Sequence, residues 1–167
     1  MTDFAGLLGA LVRGKVDFVL VGGAAATAHG SARLTLDIDV VYSRSPENLR
    51  RLAAALAPLN PYLRGAPPGL PFRWDEATLR AGLNFTLTTA LGALDLLGEI
   101  AGGGTYESLA KESSRIRVAG VECLCLGLAP LIRAKRAAGR PKDLEAIAEL
   151  EALLDERGPE RSRRRRR

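Results

Sequence analysis

The chain has 167 residues, 47% of them hydrophobic and 26% charged, which suits one domain with a substantial core. The formal charge is +5, but Arg161 and Arg163 to Arg167 supply six positive charges, so residues 1–160 carry −1. The basicity therefore belongs to a tail and argues against a basic groove in the fold itself. No apolar run reaches the roughly 18 to 20 residues that cross a bilayer, and the first residues lack the layout of a signal peptide. The expectation is a cytoplasmic protein with no membrane contact.

Phe4 to Arg13 places Phe4, Leu7, Leu8, Leu11 and Val12 at helical spacing, with Gly14 as the stop. Val16 to Val21 is a short β-branched run of buried-strand character that ends at Gly22-Gly23. A helical segment, Ala24 to His29, follows at once. A strand turning through glycines into a helix offers backbone N–H groups and the positive end of a helix dipole, which suits phosphate. The next strand carries Asp37 and Asp39. Its period of two sends both carboxylates to one face, with Ile38 and Val40 on the other. Adjacent anions repel unless one is protonated or a cation lies between them, and hard divalent ions take oxygen ligands of this kind. Parity puts Arg33 and Thr35 on the same polar face if the strand begins early.

Further on, Ser45-Pro46-Glu47 starts a helix continued by Leu49, Leu52, Ala53 and Leu56 and ended at Pro58. Residues 60 to 75 hold four prolines and two glycines and predict an irregular loop, with Arg64, Arg73 and Trp74 available to a ligand. Leu83 to Thr89 and Ala93 to Leu97 predict an antiparallel pair turning at Gly92. Asp95 is the odd residue there, and a carboxylate in an apolar strand must be exposed, paired or on a metal. Gly102-Gly103-Gly104 leads into a short helix, Thr105 to Glu112, and lacks the Lys-Ser or Lys-Thr of a phosphate loop. Arg115 to Leu126 predicts a hairpin turning at Ala119-Gly120. Its Cys123 and Cys125 read as buried hydrophobes, since the sole histidine, His29, belongs to another motif. Two helices close the chain, Leu128 to Ala138 and Lys142 to Arg157, with the charged corner Lys135 to Asp143 between them. One domain of residues 1–158 (core 16–127, closing helices 128–157) and a disordered Arg-rich tail, 159–167, complete the expectation.

The run Gly22, Gly23, Ala28, His29, Gly30, Arg33, Thr35, Asp37, Asp39 resembles the nucleotidyltransferase superfamily of DNA polymerase beta, whose signature is a Gly-Gly or Gly-Ser turn before a strand with two acids one residue apart. It looks most like the small bacterial branch of minimal nucleotidyltransferases and abortive-infection toxins. The resemblance implies an α/β nucleotidyltransferase fold, with a mixed β-sheet, helices packed against it and a C-terminal helical pair. It implies that Asp37, Asp39 and Asp95 hold Mg²⁺ (or Mn²⁺), and that Gly22, Gly23, Arg33 and Lys135 meet the nucleotide. The implied reaction moves a nucleoside monophosphate from a nucleoside triphosphate to a hydroxyl of RNA, such as tRNA, or of a partner protein, in the manner of a toxin with a cognate antitoxin. Two readings stay open beside it: an inactive member that keeps the fold as a binding module, and a nucleic-acid-binding protein working through its arginine tail. For His29 a structural role is expected, and Lys135 either contacts the triphosphate or complements a helix end.

Overall fold

The computed structural model describes residues 1–102 and 104–164, with the side chains of 159–164 left aside. Helix α1 is Phe4–Arg13, capped by Asp3, whose carboxylate accepts a hydrogen bond from the Gly6 N–H. Strand β1, Phe18–Val21, is buried along its whole length and leads directly into α2, Gly22–Ala28. Strand β2 is Asp37–Tyr42 and helix α3 Pro46–Leu56, with Ser45 as its cap and Pro46 in its first turn. The short strand β3, Tyr62–Leu63, and helix α4, Glu76–Ala81, precede the hairpin β4, Phe85–Thr89, and β5, Gly92–Leu97. A two-residue pair follows, β6 (Glu99–Ile100) with β7 (Gly104–Thr105), then α5, Tyr106–Ala110. The chain ends with the hairpin β8 (Ser113–Val118) and β9 (Val121–Leu126), helix α6 (Leu128–Ala138) and helix α7 (Pro141–Arg164).

Seven strands form one sheet in the order β3-β4-β5-β2-β1-β9-β8. The β2–β5 and β1–β9 pairs are parallel and the others antiparallel, so the sheet is mixed and the α/β expectation holds. Its centre is β2, flanked by β1 and β5. Ile38 and Val40 on β2, Leu94 and Leu96 on β5 and Val19 and Leu20 on β1 are wholly buried, and α1, α2, α3 and α6 add Leu7, Ala25, Leu52 and Leu131 to the same core. The alternation that buries these residues turns Asp37, Asp39 and Asp95 the other way. No helix among the described residues is long and apolar enough to cross a membrane.

The structure departs from the sequence expectation in several places, among them the β6–β7 pair where a glycine link was expected. The 60–75 stretch contains β3, which hydrogen-bonds along β4 and extends the sheet edge. Helix α4 was not expected; Asp75 caps it by accepting from the Thr78 N–H. Strand β2 begins only at Asp37, so Arg33 and Thr35 lie on an irregular approach and not on the strand. The last helix runs on to Arg164, past the expected end at Arg157 and into the segment expected as a disordered tail. Residues 165–167 of that tail lie outside the described residues.

A buried amide ties the frame together. Asn48, 1% exposed on α3, accepts from the Asp17 N–H at 2.7 Å and donates to the carbonyls of Asp17 and Ser43 at 3.0 and 2.7 Å. It thereby joins the entry of β1 to the exit of β2. Asn48→Ala removes the partner of the Asp17 N–H and of the Ser43 carbonyl and is expected to cost about 2 kcal/mol or more, measured by urea unfolding. A loss below about 0.5 kcal/mol would show that water replaces the amide without penalty.

Candidate active site

Register sets the acidic side of the site. In the β2–β5 pair Asp39 lies directly opposite Asp95, and Asp37 is two residues back on the same face. The three carboxylates line a cleft of about 340 Å³ whose opposite wall comes from α6 and the start of α7, with Lys135, Arg140 and Lys142 among its residues. Gly22 closes the cleft floor at a φ of +66°, where a Cβ would run into the Asp39 carboxylate. Glycine is required there for its backbone conformation and for the space it leaves. Its neighbour Gly23 packs on the Thr35 side chain, 2.8 Å from where its own Cβ would reach Thr35 Oγ1.

The charges explain the ionisation of the group at the centre. Burial, then the hydrogen bond and charge of Asp95 and the charge of Asp37, push Asp39 up to about 7, with Lys135 acting in the opposite direction. The Asp39 carboxyl therefore holds its proton up to near neutral pH in the metal-free state.

Arg64 answers part of the negative charge. Its Nη1 lies 3.5 Å from Asp37 Oδ2 and its Nη2 2.9 Å from Asp95 Oδ1. The second contact is an ion pair without hydrogen-bond geometry, so Asp95 Oδ1 is left buried with no hydrogen-bond donor, while Nη2 donates to the Leu87 carbonyl at 2.7 Å. Across the cleft, Asp143 is 3% exposed; its carboxylate accepts from Arg140 Nε at 2.7 Å and lies 3.9 Å from Lys135 Nζ. Burial opposes its charge, but the Arg140 hydrogen bond and the Arg140 and Lys135 charges outweigh burial and hold it below the usual carboxylate range. Asp143 thus fixes two cations facing the acidic wall.

The donor set suits a hard divalent cation: oxygen atoms alone, one of them buried and unserved. Among the described residues, no three Asp, Glu, His or Cys side chains stand as a ready-made cage for a metal, and Arg64 lies against Asp37 and Asp95. Asp37, Asp39 and Asp95 are the oxygen donors a hard divalent ion could take here.

The structure brings together five of the seven residues singled out from the sequence: Asp37, Asp39, Asp95, Gly22 and Lys135. Arg33 lies elsewhere. It is exposed on the approach to β2 and pairs with Glu149 at 3.5 Å and Glu145 at 4.0 Å, while Glu149 also accepts from the Ala32 N–H. His29 is a structural clasp, with Nε2 2.7 Å from the Leu126 carbonyl and Nδ1 2.8 Å from Arg157 Nη1. Trp74 donates to the Ala53 carbonyl and folds its loop onto α3. Cys123 and Cys125 are free and buried, and burial pushes the Cys125 thiol up to about 12. Arg140, Lys142 and Asp143 were missed as individual site residues, although the charged corner containing them was visible in the sequence.

The mixed sheet with helices packed against it matches the nucleotidyltransferase fold of a solved neighbour. The chain superposes on the crystal structure of the lincosamide antibiotic adenylyltransferase LnuA in its lincomycin-bound form with a TM-score of 0.58, covering 91% of this chain and 98% of that one. Sequence identity is 15%, so the likeness is one of fold. No protein-family model matches the sequence, and no curated protein matches it either.

The raised Asp39 makes a signed prediction for the metal-free protein. The folded chain keeps a proton from about pH 4, where an unfolded aspartate loses it, up to about 7; stability from this group is full below that window and lost as pH rises through it. In EDTA, Asp39→Asn is expected to melt higher than the wild type at pH 8, by roughly 1 kcal/mol or more. The difference should vanish near pH 4. Equal melting temperatures at pH 8 would contradict the charge crowding described.

Proposed function

We propose that the protein is a nucleotidyltransferase that uses Mg²⁺ (or Mn²⁺) to move a nucleoside monophosphate from a nucleoside triphosphate to an acceptor hydroxyl. The observation that carries this reading is the opposition of two walls: Asp37, Asp39 and Asp95 on the sheet, and Lys135 and Arg140 held by Asp143 on the closing helices. The sharing of its fold with an adenylyltransferase supports it.

In this reading Lys135, Arg140 and Lys142 take the triphosphate oxygens, with Lys135 as a compact point charge and Arg140 as an oriented fork. Gly22 has no side chain, and the Asp39 carboxylate takes that space at the floor of the cleft. Mg²⁺, when bound to the three carboxylates, offsets phosphate charge and lowers the pKa of the attacking hydroxyl. The hydroxyl oxygen bonds to the α-phosphorus and pyrophosphate leaves, with no covalent enzyme intermediate. Phosphoryl transfer asks mainly for positioning and charge neutralisation, and both walls supply these.

For the acceptor we propose RNA, such as tRNA, or a partner protein, with the chain acting in the cytoplasm as the toxin of a toxin–antitoxin pair; the resemblance of the Gly22 to Asp39 run supports this. A second reading has its own support. LnuA, matched over almost its full length, carries lincomycin, which favours a small-molecule hydroxyl as acceptor. An inactive binding module is the remaining outcome.

Incubation with each α-labelled nucleoside triphosphate and Mg²⁺, with total RNA, cell lysate or hydroxyl-bearing antibiotics as acceptor, tests the reading. Label should move to one acceptor class, and Asp37→Asn should reduce transfer about 100-fold or more while the protein stays folded, because a charge-stabilising group at the reacting phosphate is removed. A folded Asp37→Asn protein as active as the wild type would sink the proposal, and no transfer to any acceptor would favour the silent module.

A further inference from the structure

Arg64 has no role in the proposed chemistry, yet it is the best-anchored cation at the acidic wall. The Arg64 N–H donates to the Thr86 carbonyl at 3.0 Å, and Thr86 lies directly opposite Asp95 in the β4–β5 pair. Register on the sheet edge therefore delivers this side chain to Asp95. The guanidinium is then pinned twice to the Leu87 carbonyl, from Nε at 3.2 Å and Nη2 at 2.7 Å. From that anchor it reaches Asp37 Oδ2 and Asp95 Oδ1 at 3.5 and 2.9 Å. Its side chain is only 27% exposed, and Asp95's 19%. A cation so placed cannot swing freely into solvent, as a surface lysine would.

Resting on the metal-dependent reading above, we propose that Arg64 is a resident cation that substitutes for one metal ion, so that the site takes one divalent ion per chain and not two. Three carboxylates close together need positive charge, and Arg64 supplies one unit of it permanently between Asp37 and Asp95. A first ion has Asp39 and the remaining oxygens of Asp37 and Asp95, but a second on Asp37 Oδ2 and Asp95 Oδ1 would have to displace a guanidinium bonded to backbone and would meet its charge at close range. With Arg64 neutralised, Asp37 and Asp95 regain the charge and space for a second ion. Arg64 is a positioning residue in this account.

Titration of the full-length protein with Mn²⁺, read by calorimetry and by loss of the free-Mn²⁺ paramagnetic resonance signal, tests the inference without an activity assay. The wild type should bind one Mn²⁺ and Arg64→Gln a second. Circular dichroism establishes that the variant is folded. Two ions on the wild type, or an unchanged single ion on folded Arg64→Gln, would overturn the inference while leaving metal use intact. No Mn²⁺ on either folded protein would overturn the metal reading beneath it. Should Arg64→Gln fail to fold, the wild-type count decides alone, one ion supporting the proposal and two refuting it.

Discussion

Three carboxylates crowded at one end of a sheet are the constraint on which the rest of the structure turns. Asp39 and Asp95 face each other across a parallel pair with Asp37 two residues away, an arrangement that like-charge repulsion and partial burial both disfavour. Nearby features each lower that cost. Gly22 offers no side chain against Asp39, Arg64 reaches in from the sheet edge, and α6 and α7 bring up Lys135 and Arg140. A fold that needed stability alone would replace these acids with apolar residues. Their joint presence costs the fold stability, and that cost is what supports the proposed site.

The frame explains why the acids can be held so close. Strand β2 is antiparallel to β1 on one side and parallel to β5 on the other, so the chain changes direction around the strand that bears the Asp-Ile-Asp run. Asp37 and Asp39 lie at the start of β2, beside the end of β1 and its Gly22 turn. Here α6 and the start of α7 form the second wall of the cleft, and Asp143 at their junction orients the two cations that face the acids. The far side of β2 is packed with Ile38 and Val40 at zero exposure, which prevents the strand from slipping to relieve the repulsion.

Much of this was legible in the sequence because it is local. Alternation placed Asp37 and Asp39 on one face, helical spacing delimited α1, α3 and α6, and the apolar run around Asp95 made that acid conspicuous. What was not legible depends on distant partners. Arg33 seemed to share the metal face, but Glu149 captures the Ala32 backbone and the Arg33 side chain, so the chain joins β2 only at Asp37. Arg64 lay in a proline-rich stretch with no periodicity, and only the pairing of Tyr62 and Leu63 with β4 brings it to Asp95. Asn48 carries no local sequence signal for its role, since its three backbone partners are set by tertiary contact. The order of strands, and with it the opposition of Asp39 and Asp95, is likewise a property of the assembled sheet.

The central claim is that these carboxylates form a cation-dependent nucleotide site. The most direct measurement is the equilibrium binding of a non-hydrolysable nucleoside triphosphate as Mg²⁺ is raised from zero. The account predicts affinity that rises steeply with Mg²⁺ and is lost when Asp95 is changed to Asn. Binding that ignores Mg²⁺, or that survives unchanged in folded Asp95→Asn, would contradict it.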